Sequence, residues 1–197
     1  MLKRLFDIIL SFLGLILISP ILLIIAILIK LDSKGPVFYR GKRVGHKGRE
    51  FRIFKFRTMV ENAEQLGGPS TAGDDPRLRK LGKFLKKFQL DELPQLINVL
   101  KGEMSLVGPR PEVPFYVDMM AEEEKRIILS VPQGMTDLAS LWDFHESEAL
   151  LGSPDPEKAY QEKIRPEKIR LQLEYVKKRS FWLDIKIILK TIVKIFK

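Results

Sequence analysis

Between Asp7 and Lys30 the chain carries no charged side chain. That run, Ile8 to Ile29, restricts the fold more than any other feature. It matches the roughly 20 residues a helix needs to cross bilayer hydrocarbon. Ser19-Pro20 sits at its centre. A proline there removes a backbone donor and clashes with the preceding turn, while the Ser19 hydroxyl can bond freed backbone groups. Lys3 and Arg4 precede the run; Lys30, Lys34, Arg40, Lys42 and Arg43 follow it. Basic residues favour the cytoplasmic side. A single span puts one of these clusters on the unfavourable side, whereas a helix that dips in, breaks at Ser19-Pro20 and returns satisfies both. A kinked spanning helix is the alternative, and the flanks tilt the balance toward the re-entrant form. The run is longer than the apolar region of a secretory signal and has no convincing small-residue cleavage site, so the segment is expected to be retained.

The 197 residues suffice for one ordinary domain plus an accessory element. The net charge of +9 suits an anionic partner: nucleic acid, acidic headgroups or a phosphorylated substrate. Charge alone does not choose among these. The absence of cysteine excludes disulfides, thiolate metal sites and a cysteine nucleophile. With His46 and His145 as the only histidines, a zinc centre built on several histidines is not expected.

After Lys34-Gly35-Pro36 the pattern changes. Val37-Phe38-Tyr39 and Phe51 to Phe56 read as hairpin strands around a turn containing Gly45 and Gly48. In the second strand Phe51, Ile53 and Phe56 oppose Arg52, Lys55 and Arg57, with the alternation slipping at Phe54. Residues 61–78, rich in Gly, Pro, Ser and Asp, read as a loop. Arg77 to Leu90 reads as a basic amphipathic helix, suited either to an anionic membrane surface or to packing on the core. Asp91 is a good N-cap residue for a short helix whose Leu93, Leu96, Ile97 and Leu100 share a face and which Gly102 ends. Asp91 and Glu92 then stand at a helix N-terminus. In Gly108-Pro109-Arg110-Pro111 an arginine held between prolines loses little entropy when its planar fork grips a phosphate. A turn is expected at Pro132-Gln133-Gly134. The C-terminal stretch reads as two helices. In the last, 181–197, Trp182 and regularly placed lysines favour an interfacial helix over a core-packed one.

An acidic pair alone is commonly a cap and a first-turn acid. Here it converges with an apolar segment, a basic strand and Arg110, a combination that suits a diphosphate at headgroup level. The stretches KRLFDIIL, SPILLIIAILIK, GPVFYRGKRVG, FKFRTM, DPRLRKLGKFLKKFQLDELPQLINVLKGEMSLVGPRP and RSFWLDIKIILKTI cover most of the chain. In them the sequence resembles the bacterial sugar transferases, monotopic phosphoglycosyl transferases acting on polyprenol phosphate. The resemblance implies an α+β, mainly helical fold. It has a re-entrant membrane helix-hairpin over 1–33 broken at Ser19-Pro20, and a catalytic domain over 34–197 seated on the cytoplasmic face of the bacterial inner membrane. It further implies transfer of a sugar 1-phosphate from a UDP-sugar to polyprenol (undecaprenyl) phosphate with release of UMP. Asp91 is the implied nucleophile, forming a phosphosugar intermediate. Glu92 is its partner and could help activate the acceptor. Arg110, Lys55 and Lys86 are the implied phosphate-binding residues, and Mg²⁺ is expected through Asp91. Inner-membrane lipid is an implied partner and nucleic acid is not. A homodimer through an exposed membrane-side helix stays open.

Two departures stand out. The region Gly134-Met135-Thr136-Asp137 keeps Thr136, a candidate substrate-loop residue, but has Asp137 where glycine is usual, which leaves sugar choice open. Lys86 stands where some relatives have arginine, a better bidentate donor. The chain reads as the minimal single-domain form. The rival reading is a catalytically inactive, membrane-anchored relative that acts as a binding or assembly subunit.

Overall fold

The computed structural model describes residues 2–143 and 149–195. His145, Phe196 and Lys197 lie outside the described residues. Helix α1 spans Leu2–Asp32 and is the one helix among the described residues long and apolar enough to cross a membrane. Its middle is bare: Phe12, Leu13, Ile16, Leu17, Ile21 and Leu23 are all exposed. The helix runs through Ser19-Pro20 as a single element, so the expected break is not an interruption. The local chemistry explains the continuity. Pro20 cannot bond the carbonyl four residues back, that of Ile16, and the Ser19 hydroxyl donates to that same carbonyl at 2.8 Å.

Both ends of α1 are fastened to the folded body. At the start, Arg4 donates to the carbonyls of Val99 and Leu100, Lys3 to that of Val107, and Asp7 accepts from Ser105. At the other end Asp32 pairs with Arg79, and Ile25 and Ile29 pack with Phe56 and Leu85.

The predicted hairpin forms in two steps. Strands β1 (Phe38–Tyr39) and β2 (Lys42–Val44) lead up, and β3 (Glu50–Arg52) and β4 (Lys55–Phe56) lead back, with β1 paired to β4 and β2 to β3. The ladder is interrupted at Ile53-Phe54, where the alternation slips. The Gly-rich connection closes as a short turn at His46–Gly48.

A four-residue helix α2 (Ala63–Leu66) lies in the following loop, which Arg77 holds together. Its guanidinium takes the Asp75 carboxylate and the carbonyls of Ala63, Gly68 and Ser70. Arg77 is therefore committed to the loop, and the basic helix α3 is Lys80–Lys87, shorter than the 77–90 expected. Leu85 is buried on one side of α3 while Phe84 and Phe88 are exposed on another. Gln89, at φ 53°, turns the chain into a 3-10 turn over Leu90–Gln95, which passes into α4 (Leu96–Lys101) and stops at Gly102 in left-handed conformation.

Strand β5 (Ser105–Val107) pairs in parallel with β6 (Gly134–Thr136), and α5 (Pro114–Asp118) and α6 (Glu122–Ile128) lie in the crossover. The chain continues through α7 (Leu138–Trp142), α8 (Pro156–Ala159), α9 (Arg165–Lys178) and α10 (Phe181–Ile195). The C-terminal helix has a core-packed side and a bare apolar side. Ile187 is buried with Val107 and Tyr175, while Trp182, Leu189 and Val193 face outward.

The β5–β6 pair depends on the absence of two side chains. A Cβ on Gly134 would lie 2.1 Å from the Gly108 nitrogen, and one on Gly108 would lie 2.3 Å from the Pro132 carbonyl oxygen. Backbone cannot yield as a side-chain tip can. Gly134→Ala should therefore force the strands apart and destabilise the protein by about 1–3 kcal/mol, read as a lowered denaturation midpoint in detergent.

Candidate active site

Three separate segments meet at the acidic pair. The first is β4. Its alternation sends Phe56 into the core beside Ile25, Ile29 and Leu85, and this turns Lys55 to the other face. Lys55 donates to Glu92 Oε1 at 2.9 Å. The second segment is the 3-10 turn itself. Here the structure corrects the expected cap: Gln89 precedes the turn, and Asp91 lies within its first residues and makes no side-chain cap bond. The left-handed Gln89 and the rigid Pro94 fix a tight turn where an ordinary capped α-helix was expected. The third segment follows β5. With Gly108 pressed on Gly134, the Gly134 amide donates to the Pro109 carbonyl at 2.9 Å. Arg110 then extends to the same Glu92 oxygen that holds Lys55, and contacts the Met135 carbonyl.

The two acids behave oppositely. Asp91 is 6% exposed, and burial pushes its carboxyl up to about 6, with Lys55 opposing and the Glu92 charge reinforcing the rise. Burial disfavours ionised Glu92 as well, but Arg110 and Lys55 outweigh it and hold that carboxyl well below the usual range. Lys86, on α3, also acts on Asp91 by its charge. Gly82 permits this, because a Cβ there would lie 1.9 Å from the Thr58 carbonyl oxygen, so α3 sits directly on the chain leaving β4.

The predicted residues Asp91, Glu92, Lys55, Arg110 and Lys86 thus form one cluster. Thr136 lies beside it. Its hydroxyl bonds Thr191 of α10 at 2.8 Å, and with Glu92 it lines a cleft of about 310 Å³ between α1, β6 and α10. Ser19 and Pro20 stand exposed in the middle of α1. Asp137, the departure from the family pattern, is buried and caps α7 through the Ser140 amide at 2.7 Å.

Among the described residues no three acidic or histidine side chains converge on a cation site. Mg²⁺ commonly uses one or two carboxylates plus substrate phosphates. The Asp91 carboxylate suits that mode, since it accepts no hydrogen bond among the described residues, whereas Glu92 is already held by two cations.

Sequence reasoning missed Asn98. It is fully buried in α4 and bridges the gap in the hairpin, accepting from the Phe54 amide at 2.8 Å and donating to the Arg52 carbonyl at 3.0 Å. It thereby sets the start of β4 and the position of Lys55. The available signal was an asparagine inside a short helix of otherwise apolar residues, where its propensity is poor.

The whole chain, residues 1–197, matches the family described as bacterial sugar transferase. It is 39% identical over 192 residues to a UDP-N-acetylgalactosamine-undecaprenyl-phosphate N-acetylgalactosaminephosphotransferase of Aeromonas hydrophila, covering 96% of this chain and 42% of that protein. It is 38% identical over 199 residues to the UDP-glucose:undecaprenyl-phosphate glucose-1-phosphate transferase of Escherichia coli (strain K12), covering 100% of this chain and 40% of the relative. The exopolysaccharide production protein ExoY of Sinorhizobium fredii is 34% identical over 205 residues, covering 96% of this chain and 83% of ExoY. The chain thus spans about two fifths of the length of the first two relatives.

Two outcomes are expected. Asn98→Ala leaves the Phe54 amide without its partner and takes from the Arg52 carbonyl one of its two donors, the other being Arg40, and an unmet part-buried group costs about 1–3 kcal/mol. The unfolding midpoint should fall, and the affinity of any phosphate ligand held by Lys55 should fall with it. Asp91→Asn should do the reverse to stability. The folded pKa of Asp91 is raised, so the fold favours the protonated acid and resists the ionised one. That resistance is present above pH 6 and gone below the unfolded value near 4. Asp91→Asn should therefore be more stable than the parent by about 2–3 kcal/mol at pH 8. The advantage should fade as the pH drops through 6, followed by tryptophan fluorescence on heating in metal-free buffer.

Proposed function

The chain belongs to the bacterial sugar transferase family, and we propose that it moves a sugar 1-phosphate from a UDP-sugar to undecaprenyl phosphate on the cytoplasmic face of the inner membrane. The observation that carries this is the cluster around the acidic pair: three cations from three segments face two adjacent carboxylates whose proton affinities are driven apart. A carboxylate attacks an anionic diphosphate only where cations screen the repulsion.

Asp91, ionised above about pH 6 and kept basic by burial, attacks the phosphorus that carries the sugar. The bond between that phosphorus and the bridging oxygen breaks, and UMP leaves with the electron pair. An oxygen of the lipid phosphate then attacks the same phosphorus, the acyl-phosphate bond breaks, and the Asp91 carboxylate is restored as the lipid diphospho-sugar departs. Glu92 is a weak base here, because Lys55 and Arg110 hold it ionised. Its role in this reading is to aim those two cations at the diphosphate. Bound through Asp91 and the diphosphate, Mg²⁺ would neutralise further negative charge.

The features of α1 support a membrane seat. A straight helix of 31 residues is about 46 Å long at 1.5 Å per residue. With both ends fastened to one body and the middle bare, a re-entrant course keeps Lys3, Arg4 and the basic residues after Lys30 on one side. It also holds Asp91 near the headgroups.

The test is incubation with labelled UDP-sugars, Mg²⁺ and undecaprenyl phosphate. UMP release and a lipid-linked sugar should appear, and a screen of UDP-sugars identifies the sugar. Asp91→Asn should lower turnover by roughly 10³-fold or more and abolish the covalent adduct. Undiminished turnover in that variant would sink the mechanism.

A further inference from the structure

The cleft beside Thr136 has a chemistry of its own. Its walls are Leu10 of α1, Leu106 of β5, and Ile188 and Ile192 of α10. The two hydroxyls in it are spent on the protein. The Thr191 hydroxyl donates to the Ile187 carbonyl at 2.9 Å, so the Thr136 hydroxyl donates to Thr191. Apart from Gln89 and Glu92 at its edge, a ligand in this cleft meets mainly hydrocarbon and no offered hydroxyl proton, a lining better matched to an apolar chain than to a sugar or ribose. One boundary of the cleft is Glu92, the residue that holds Lys55 and Arg110. The two helices forming its sides are also those whose outer faces carry bare apolar side chains: Leu13, Leu17 and Leu23 on α1, and Leu189 and Val193 on α10. A hydrocarbon chain can therefore pass from bilayer to cleft along apolar surface without crossing water.

We infer that this cleft is the binding site for the lipid chain of the acceptor, a single isoprenoid tail that enters between α1 and α10 with its phosphate toward Lys55 and Arg110. The inference rests on the proposed transfer to a lipid phosphate and adds the route by which that lipid arrives. The match is one of two ends: apolar walls in a cleft of about 310 Å³ for the tail, and, past the Glu92 boundary, the two cations that Glu92 holds, Lys55 and Arg110, for the phosphate. A two-tailed glycerophospholipid shares the anionic head but brings a second chain, and it is the competing occupant.

The test reads binding without turnover. The full chain carrying Asp91→Asn, in nanodiscs of phosphatidylethanolamine and phosphatidylglycerol, is photolysed with a polyprenyl phosphate bearing a diazirine near its phosphate end. Adducts are mapped by mass spectrometry. Labels should fall at Leu10, Ile188 and Ile192, and should be competed by undecaprenyl phosphate but not by undecaprenol or added phospholipid. Labels confined to the outward Leu17, Leu23, Leu189 and Val193, or competed equally by phospholipid, overturn the assignment. With Asp91 intact, Ile192→Trp and, from the opposite wall, Leu10→Trp should slow lipid transfer by about tenfold more than they slow phosphosugar-adduct formation. Equal effects on the two steps count against the cleft. A parent protein that captures the lipid specifically in the cleft yet releases no UMP from any UDP-sugar supports the cleft and overturns the reaction.

Discussion

One glutamate oxygen organises the centre of this protein. Glu92 Oε1 accepts from Lys55 and from Arg110, residues that lie 37 positions before it and 18 after it. A partly buried carboxylate that loses such partners becomes an uncompensated charge, a loss of about 3–5 kcal/mol in comparable buried pairs. The strand, the 3-10 turn and the Pro-Arg-Pro loop are therefore held in register by the same contacts that gather the cations. Asp91, next in sequence, takes none of those hydrogen bonds. It keeps a high proton affinity because burial disfavours its ionised form and the Glu92 charge adds to the rise, against the opposing pull of Lys55. Adjacent carboxylates with opposite shifts mark a division of labour.

The scaffold around that oxygen is built from close backbone approach and from one amide. Gly108 against Gly134 and Gly82 against Thr58 bring chain segments nearer than any Cβ would allow. Asn98 replaces the missing ladder bonds at Ile53-Phe54 with side-chain bonds. Each device sits one or two steps from Lys55, Lys86 or Arg110. Errors there would be transmitted to the charges with little room for relaxation, because the glycine contacts are backbone to backbone and the Asn98 amide is fully buried.

Much of this was legible in the sequence. The slip at Phe54 marked the interruption in the hairpin, and Gly102 marked the end of α4. The residues of the acidic and basic cluster followed from motif resemblance. What periodicity could not supply was long-range. Asp91 has the composition of a cap, but the turn is set by Gln89 and Pro94. Arg77 has the spacing of a helical residue, but four groups in the preceding loop claim it. Lys3 and Arg4 read as topology signals, and nothing local indicates that they also bond Val107, Val99 and Leu100, roughly a hundred residues away. Such pairings exist only once the chain is folded, so a local pattern carries no trace of them.

Those last bonds change what kind of object the N-terminal helix is. Arg4 takes up two carbonyls at the end of α4, Asp7 takes the Ser105 hydroxyl and the Leu106 amide, and Lys3 joins Val107 to Asp184 of α10. The apolar helix is thus a structural member of the body as well as its most exposed apolar surface. A soluble fragment made by clipping it away would expose Ile25 and Ile29's partners and leave α4, β5 and α10 each missing a bond. The apolar helix and the body are one folding unit, and conditions that accommodate the bare middle of the helix bear on the body's own integrity.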